Sequence, residues 1–164
     1  MDSFYVPGQL LYILGIMVLV ILAIAFVMYI LYSIGLYKMG QRAGVKNSWL
    51  AFIPPLNGYV IGKILGPNRV RFFGQDITNP ELVITLVPVG MGVISSLATV
   101  GSGLIAFLLI IVNIIAAIFL LVCNYQLLKM YKGDGAKLIF ILSVIFPIIW
   151  PFVIFSLRNK DPID

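Results

Sequence analysis

The chain has 164 residues, of which 62% are hydrophobic and 10% charged, whereas a soluble domain carries roughly 25% charged residues. That composition excludes an ordinary water-soluble globule and leaves no room for a separate soluble domain beside a membrane part. The net charge of +5 reads as the cytoplasmic excess of Lys and Arg in a membrane chain, not as a nucleic-acid surface.

In chain order, Met1 to Gln9 carries Asp2 and no basic residue. The apolar run behind it, Leu10 to Tyr37, is far longer than the about 7–15 residues of a signal-peptide core. It predicts an uncleaved first span, about 42 Å long at ~1.5 Å per residue, which must tilt or leave the membrane at one end. Lys38 to Pro80 forms the longest connection and holds Lys38, Arg42, Lys46, Lys63, Arg69 and Arg71. Inside it the apolar stretch Trp49 to Gly66 is interrupted by Pro54-Pro55. This reads as a broken helix pair over 48–66, lying in the interface or dipping partway into the membrane. Asn47 or Ser48 is expected to cap its first half and Asn57 its second.

A second span is predicted over 82–100, with a kink at Pro88, Gly90 and Gly92. Gly101-Ser102-Gly103 is an uncharged turn, and a third span follows over 104–128. The loop Lys129 to Lys137 is basic and turns at Gly133-Asp134-Gly135. A fourth span is predicted over 138–157, with Pro147 and Pro151 inside it. The fold expected is an all-α integral membrane protein: one domain, 1–164, of four transmembrane helices plus the Pro-broken pair.

Nine of the eleven Lys and Arg fall in the two loops after spans one and three. The positive-inside rule therefore puts the N-terminus outside. Four full crossings would put the C-terminus outside too. The alternative is that Pro147, Trp150 and Pro151 fold the last segment into a re-entrant hairpin, which brings Arg158 and Lys160 inside.

The pattern Trp49-x3-Ile53-Pro54-x2-Asn57-x-Tyr59-Val60-x2-Lys63-Ile64-x-Gly66, preceded by Ala43-Gly44, resembles a family of small bacterial polytopic membrane proteins of uncharacterised function. Some of its members bear a signal-peptidase label. The similarity is specific over about 25 residues and continues weakly at Val112-Asn113-Ile114 and in the Pro-containing last segment. Two features depart from the family: Pro67 to Gly103 looks like an insertion that adds a span, and Phe155-Ser156-Leu157-Arg158 lacks the small-residue and Tyr ending. The resemblance implies a bacterial plasma-membrane protein and no known activity.

Little in the sequence carries chemistry. Cys123 is the only cysteine and histidine is absent, so no metal site, cofactor or enzymatic activity is expected. A Ser–Lys dyad needs a Lys within reach of the nucleophile, and the only local pair, Lys46 and Ser48, lies in a cytoplasmic loop. No acidic residue lies inside a predicted span, which argues against a proton-coupled carrier.

The Pro54-Pro55 break, with Trp49, Asn57 and Tyr59 around it, is either an elbow or a polar site of the kind broken helices build in transporters. Gly58, Gly62 and Gly66 share one helix face, fit either for self-packing or for docking a partner. Asn113 is interhelical glue worth roughly 1 kcal/mol, or part of a polar path. The six basic residues from Lys38 to Arg71 either contact anionic lipid or serve only to orient the chain. The function expected is a non-enzymatic subunit of a larger bacterial membrane complex, acting through helix packing with other subunits or with itself. The alternative is a small transporter or channel using the broken helix and Asn113.

Overall fold

A computed structural model of the protein describes residues 8–98 and 103–163. The expected turn at Gly101-Ser102 and the termini at Asp2 and Asp164 lie outside the described residues. Six helices carry the fold: α1 (Gly8–Arg42), α2 (Asn57–Leu65), α3 (Pro80–Ala98), α4 (Gly103–Lys132), α5 (Ala136–Ile145) and α6 (Ile149–Leu157). Among the described residues, three stretches are long and apolar enough to cross a membrane: Gln9–Arg42, Pro80–Leu97 and Gly103–Ile145. The last of these runs from α4 into α5 through a single 3-10 turn at Gly133–Gly135.

The predicted fourth span, 138–157, is not one helix. Pro147 has no N–H for the Ser143 carbonyl, and the chain breaks after α5, with Phe146 at φ −120°, ψ 84°. α5 has ten residues and α6 nine, about 15 Å each, or half of a roughly 30 Å bilayer core. They form a hairpin whose ends lie together. α5 leaves from the end of α4, and the tail after α6 returns there: the Ile163 N–H donates to the Met130 carbonyl at 2.6 Å. Arg42, at the end of α1, donates two hydrogen bonds to the Asp161 carboxylate, at 2.9 and 3.1 Å.

The Pro-broken segment makes a second hairpin at the same end. Its ascending arm is two short 3-10 helices, Ser48–Phe52 and Pro54–Leu56. This arm climbs along α1, with Ser48 beside Gly40 and Phe52 against the Tyr37 ring at 5.7 Å. The descending arm is α2. It packs along the first turns of α3 and ends where Lys63 Nζ donates to Glu81 Oε1 at 2.7 Å.

The expected caps are not made. Ser48 Oγ donates to the Val45 carbonyl at 2.6 Å, and Asn57 is already helical at φ −60°, ψ −30°, past the position from which a side chain caps. The expectation of an all-α chain holds for its helical bulk, beside which the described residues carry one small strand pair. Arg71–Phe72 and Gln75–Asp76 form a two-stranded antiparallel hairpin. Its two-residue turn has φ 48° at Phe73 and 80° at Gly74, the positive values that twist-matched hairpin turns require. Arg71 Nε donates across it to Asp76 Oδ1 at 2.9 Å, which holds that carboxyl below its ordinary range.

The buried core lies at the hairpin end, built from Leu36, Met39, Val60, Leu65, Leu127, Leu128, Tyr131, Ile154 and Leu157. The opposite half of α1, from Gln9 to Val27, is exposed throughout. Helix apolar on every side is what a lipid surrounding favours.

The tail clasp yields the first prediction. Arg42 holds the Asp161 carboxyl below its usual range, chiefly through the hydrogen bonds. A depressed carboxylate stabilises docking above the ordinary Asp pKa of about 3.9, and that contribution fades as pH falls through the lowered value. The Ile163 amide should therefore exchange slowly at neutral pH. Asp161→Asn should speed its exchange with no change in melting temperature, since exposed pairs contribute little globally. Equal exchange in both proteins would remove the clasp.

Candidate functional site

Above the tips of the two hairpins lies a chamber of about 620 Å³, well within the size range of small-molecule sites. α1 supplies one wall with Ile21, Ile24, Met28, Tyr29 and Tyr32. Opposite stand Ile84 and Pro88 of α3, and Leu120, Cys123 and Asn124 of α4. The floor is the two breaks themselves: Asn57 and Gly58 from one hairpin, Pro147, Ile148, Trp150 and Pro151 from the other. Ile21 and Ile24 are 60% and 52% exposed while lining it, so the chamber is open on the α1 side.

The lining is apolar apart from a few uncharged groups. The Tyr29 hydroxyl is buried and has no hydrogen-bond partner. Among the described residues, the side-chain amides of Asn57 and Asn124 also make no hydrogen bond. Among the described residues, no Lys, Arg, Asp or Glu lines the space. Lacking an N–H, Pro88 leaves the Ile84 carbonyl without its helical donor. That carbonyl faces Gly58, where an added Cβ would lie 2.7 Å from the oxygen. Unpaired polar groups away from water are costly, and in a membrane they are tolerated where protein or a water-filled space can satisfy them.

No family model, curated protein or solved structure matches this chain.

The residues singled out from sequence fall into separate places. Asn57 reaches the chamber. Pro54 and Pro55 turn the chain below it, and Trp49, 56% exposed, lies at the loop end of the first arm. Tyr59 is turned toward Lys63, whose ammonium lies 5.6 Å from the ring centre. Gly58 and Gly62 face α3, so closely that a Cβ at either would strike its backbone. Gly66 does not share that contact; it ends α2 at φ 71°, ψ 172°, a conformation nearly confined to glycine.

Asn113 is outside the chamber. Its amide donates to the Leu109 carbonyl of its own helix at 3.0 Å, and among the described residues it makes no side-chain bond to another helix. Of the six basic residues, Arg42, Lys63 and Arg71 are paired with Asp161, Glu81 and Asp76. Lys38, Lys46 and Arg69 are exposed and have no acidic partner among the described residues.

Sequence reasoning missed Tyr29, Tyr32 and Asn124 as one constellation. The available signal was helical spacing: Ile21, Ala25, Met28 and Tyr32 recur at three- and four-residue intervals, which places them on one face of α1.

Proposed function

We propose that this chain is a small membrane transport protein that binds an uncharged, hydrogen-bonding solute in the chamber over the two hairpins. One observation carries this reading: both Pro-broken segments end at the same cavity, where the side-chain amides of Asn57 and Asn124 and the Tyr29 hydroxyl meet an otherwise apolar lining. Discontinuous helices at mid-membrane are the usual way transporters expose such groups to a solute. In this reading three helices cross the bilayer and both hairpins re-enter from the cytoplasmic side, with the N-terminus outside and the C-terminal tail inside. It keeps the chain beside the small bacterial plasma-membrane proteins that Trp49 to Gly66 resembles. It needs no nucleophile and no metal.

The subunit reading survives in altered form. Gly58 and Gly62 are occupied by α3, so they are not a docking face. The uncovered half of α1, Gln9 to Val27, is where another membrane helix, from a second copy or another subunit, would pack. Mass spectrometry of what co-purifies in nanodiscs tests that reading directly.

The solute path is tested by cysteine accessibility. In a Cys123→Ser background, Asn57→Cys should react in membrane vesicles with a small water-soluble thiol reagent from at least one face. A thiol at Lys46→Cys, in the exposed loop, serves as the positive control. If Asn57→Cys stays inert while the control reacts, the chamber is no solute path and the transport reading falls.

A further inference from the structure

A second cavity, of about 650 Å³, opens at the end where the basic loops gather. It lies between the end of α2, the last turns of α4 and the returning tail. Its charged groups are Arg69, Lys129 and Asp134, and its apolar side is Leu65, Val122 and Ile163. Gln126 also lines it, and the Gln126 Oε1 atom is buried with no donor.

The chemistry of this lining is specific. Two cations and one carboxylate leave a net single positive charge, which matches a phosphodiester. Arg69 and Lys129 have no acidic partner among the described residues, so both can meet phosphate oxygens. The Gln126 oxygen lacks a donor and the exposed Asp134 carboxylate can accept one; a phosphodiester has no donor to give, and head-group hydroxyls provide it. The apolar side continues up α4, away from the basic end, as the start of an acyl chain would need.

We propose that this pocket holds one anionic phospholipid whose head group bears hydroxyls, of the phosphatidylglycerol type. The phosphate lies between Arg69 and Lys129, the head-group hydroxyls donate to Gln126 and Asp134, and an acyl chain follows Val122. The site is independent of the chamber, so neither proposal stands or falls with the other.

Native mass spectrometry of the full chain in mild detergent tests it, with phosphatidylglycerol, phosphatidic acid or phosphatidylcholine added in turn. Phosphatidylglycerol should be retained best, as one molecule per chain. The paired substitution Arg69→Gln with Lys129→Gln should weaken it roughly 10- to 30-fold. Gln126→Leu should narrow its advantage over phosphatidic acid, which has no head-group alcohol. Unchanged melting temperatures would show that the variants are folded. Equal retention of phosphatidylcholine, or indifference to the paired substitution, would overturn the proposal. So would displacement by soluble glycerol phosphate at matched concentration, which would make this a site for a free phosphate ester.

Discussion

Replacing Gly62 with leucine should cost the protein its fold, or at least lower its melting temperature in detergent by roughly 10 °C. The position is in α2, one turn beyond Gly58, and an added Cβ would strike the Glu81 Cα and N and lie 2.7 Å from the Pro80 carbonyl carbon. All of these are backbone atoms at the start of α3, so no side-chain rotation relieves the clash. Over-packing a close contact costs about 1–3 kcal/mol and more when backbone must move. In a chain of this size, about 3 kcal/mol corresponds to a shift of roughly 6–12 °C. The parting of α2 from α3 would also separate Lys63 from Glu81. A control reverses the sign: Gly90 is inside α3 with nothing within 4 Å of an added Cβ. Gly90→Ala should raise stability by about 0.5–1 kcal/mol through helix propensity alone. A Gly62→Leu protein that melts like the wild type would mean that α2 does not lie on α3.

Gly35→Leu is the second large effect, at the opposite seam. Gly35 faces α6, and a Cβ there would lie 2.8 Å from the backbone carbon and oxygen of Ile154 and the nitrogen of Phe155. α6 must then leave α1, taking the tail with it. Melting temperature should fall by a similar roughly 10 °C. Trypsin should cleave faster at Arg158 and Lys160, which follow α6. Trimming Ile154 to alanine should not restore packing, because the obstacle is main chain. Gly40 gives the contrast. Its nearest neighbours are the Ser48 Oγ and Val60 Cγ1 atoms, both at 2.9 Å, so Val60→Ala should partly rescue Gly40→Ala. Non-additivity is expected between contacting side chains and not at Gly35. A Gly35→Leu protein with wild-type protease resistance would refute the α1–α6 seam.

Much of the architecture was legible because a bilayer imposes length. Leu10 to Tyr37, 82–100 and 104–128 correspond to α1, α3 and α4 because uncharged apolar runs of that length have few other folds. The break at Pro54-Pro55 was legible from the missing N–H groups. Residues 138–157 were harder: they meet the length and hydropathy of a span, and Pro inside a spanning helix is often tolerated. Pro147 breaks the helix, but what holds the returning arm is non-local: the α6 backbone at Ile154 and Phe155 seats on Gly35, and the tail beyond it reaches Arg42, 119 positions away from Asp161. The chamber was half legible. Asn57 followed from its place at the break, but Tyr29 and Asn124 belong to it only because two hairpins and two long helices converge. Asn113 reads from sequence as interhelical glue or part of a polar path, and its amide instead donates to the Leu109 carbonyl one turn back in the same helix. Gly58, Gly62 and Gly66 read from sequence as one face for self-packing or for a partner; Gly58 and Gly62 lie against α3 backbone and Gly66 has nothing within 4 Å of an added Cβ.

The Gly35 seam also sets an order of events during synthesis. α1 emerges from the ribosome more than a hundred residues ahead of the segment that will cover it. Throughout that interval the notch at Gly35 and the guanidinium of Arg42 have no intrachain occupant. Contacts so distant along the chain form late, and they leave apolar seams open to the wrong neighbour in the meantime. The α5–α6 hairpin therefore acts as a latch that closes last. A nascent chain halted before α6 would present its empty α1 seam to other helices already in the bilayer.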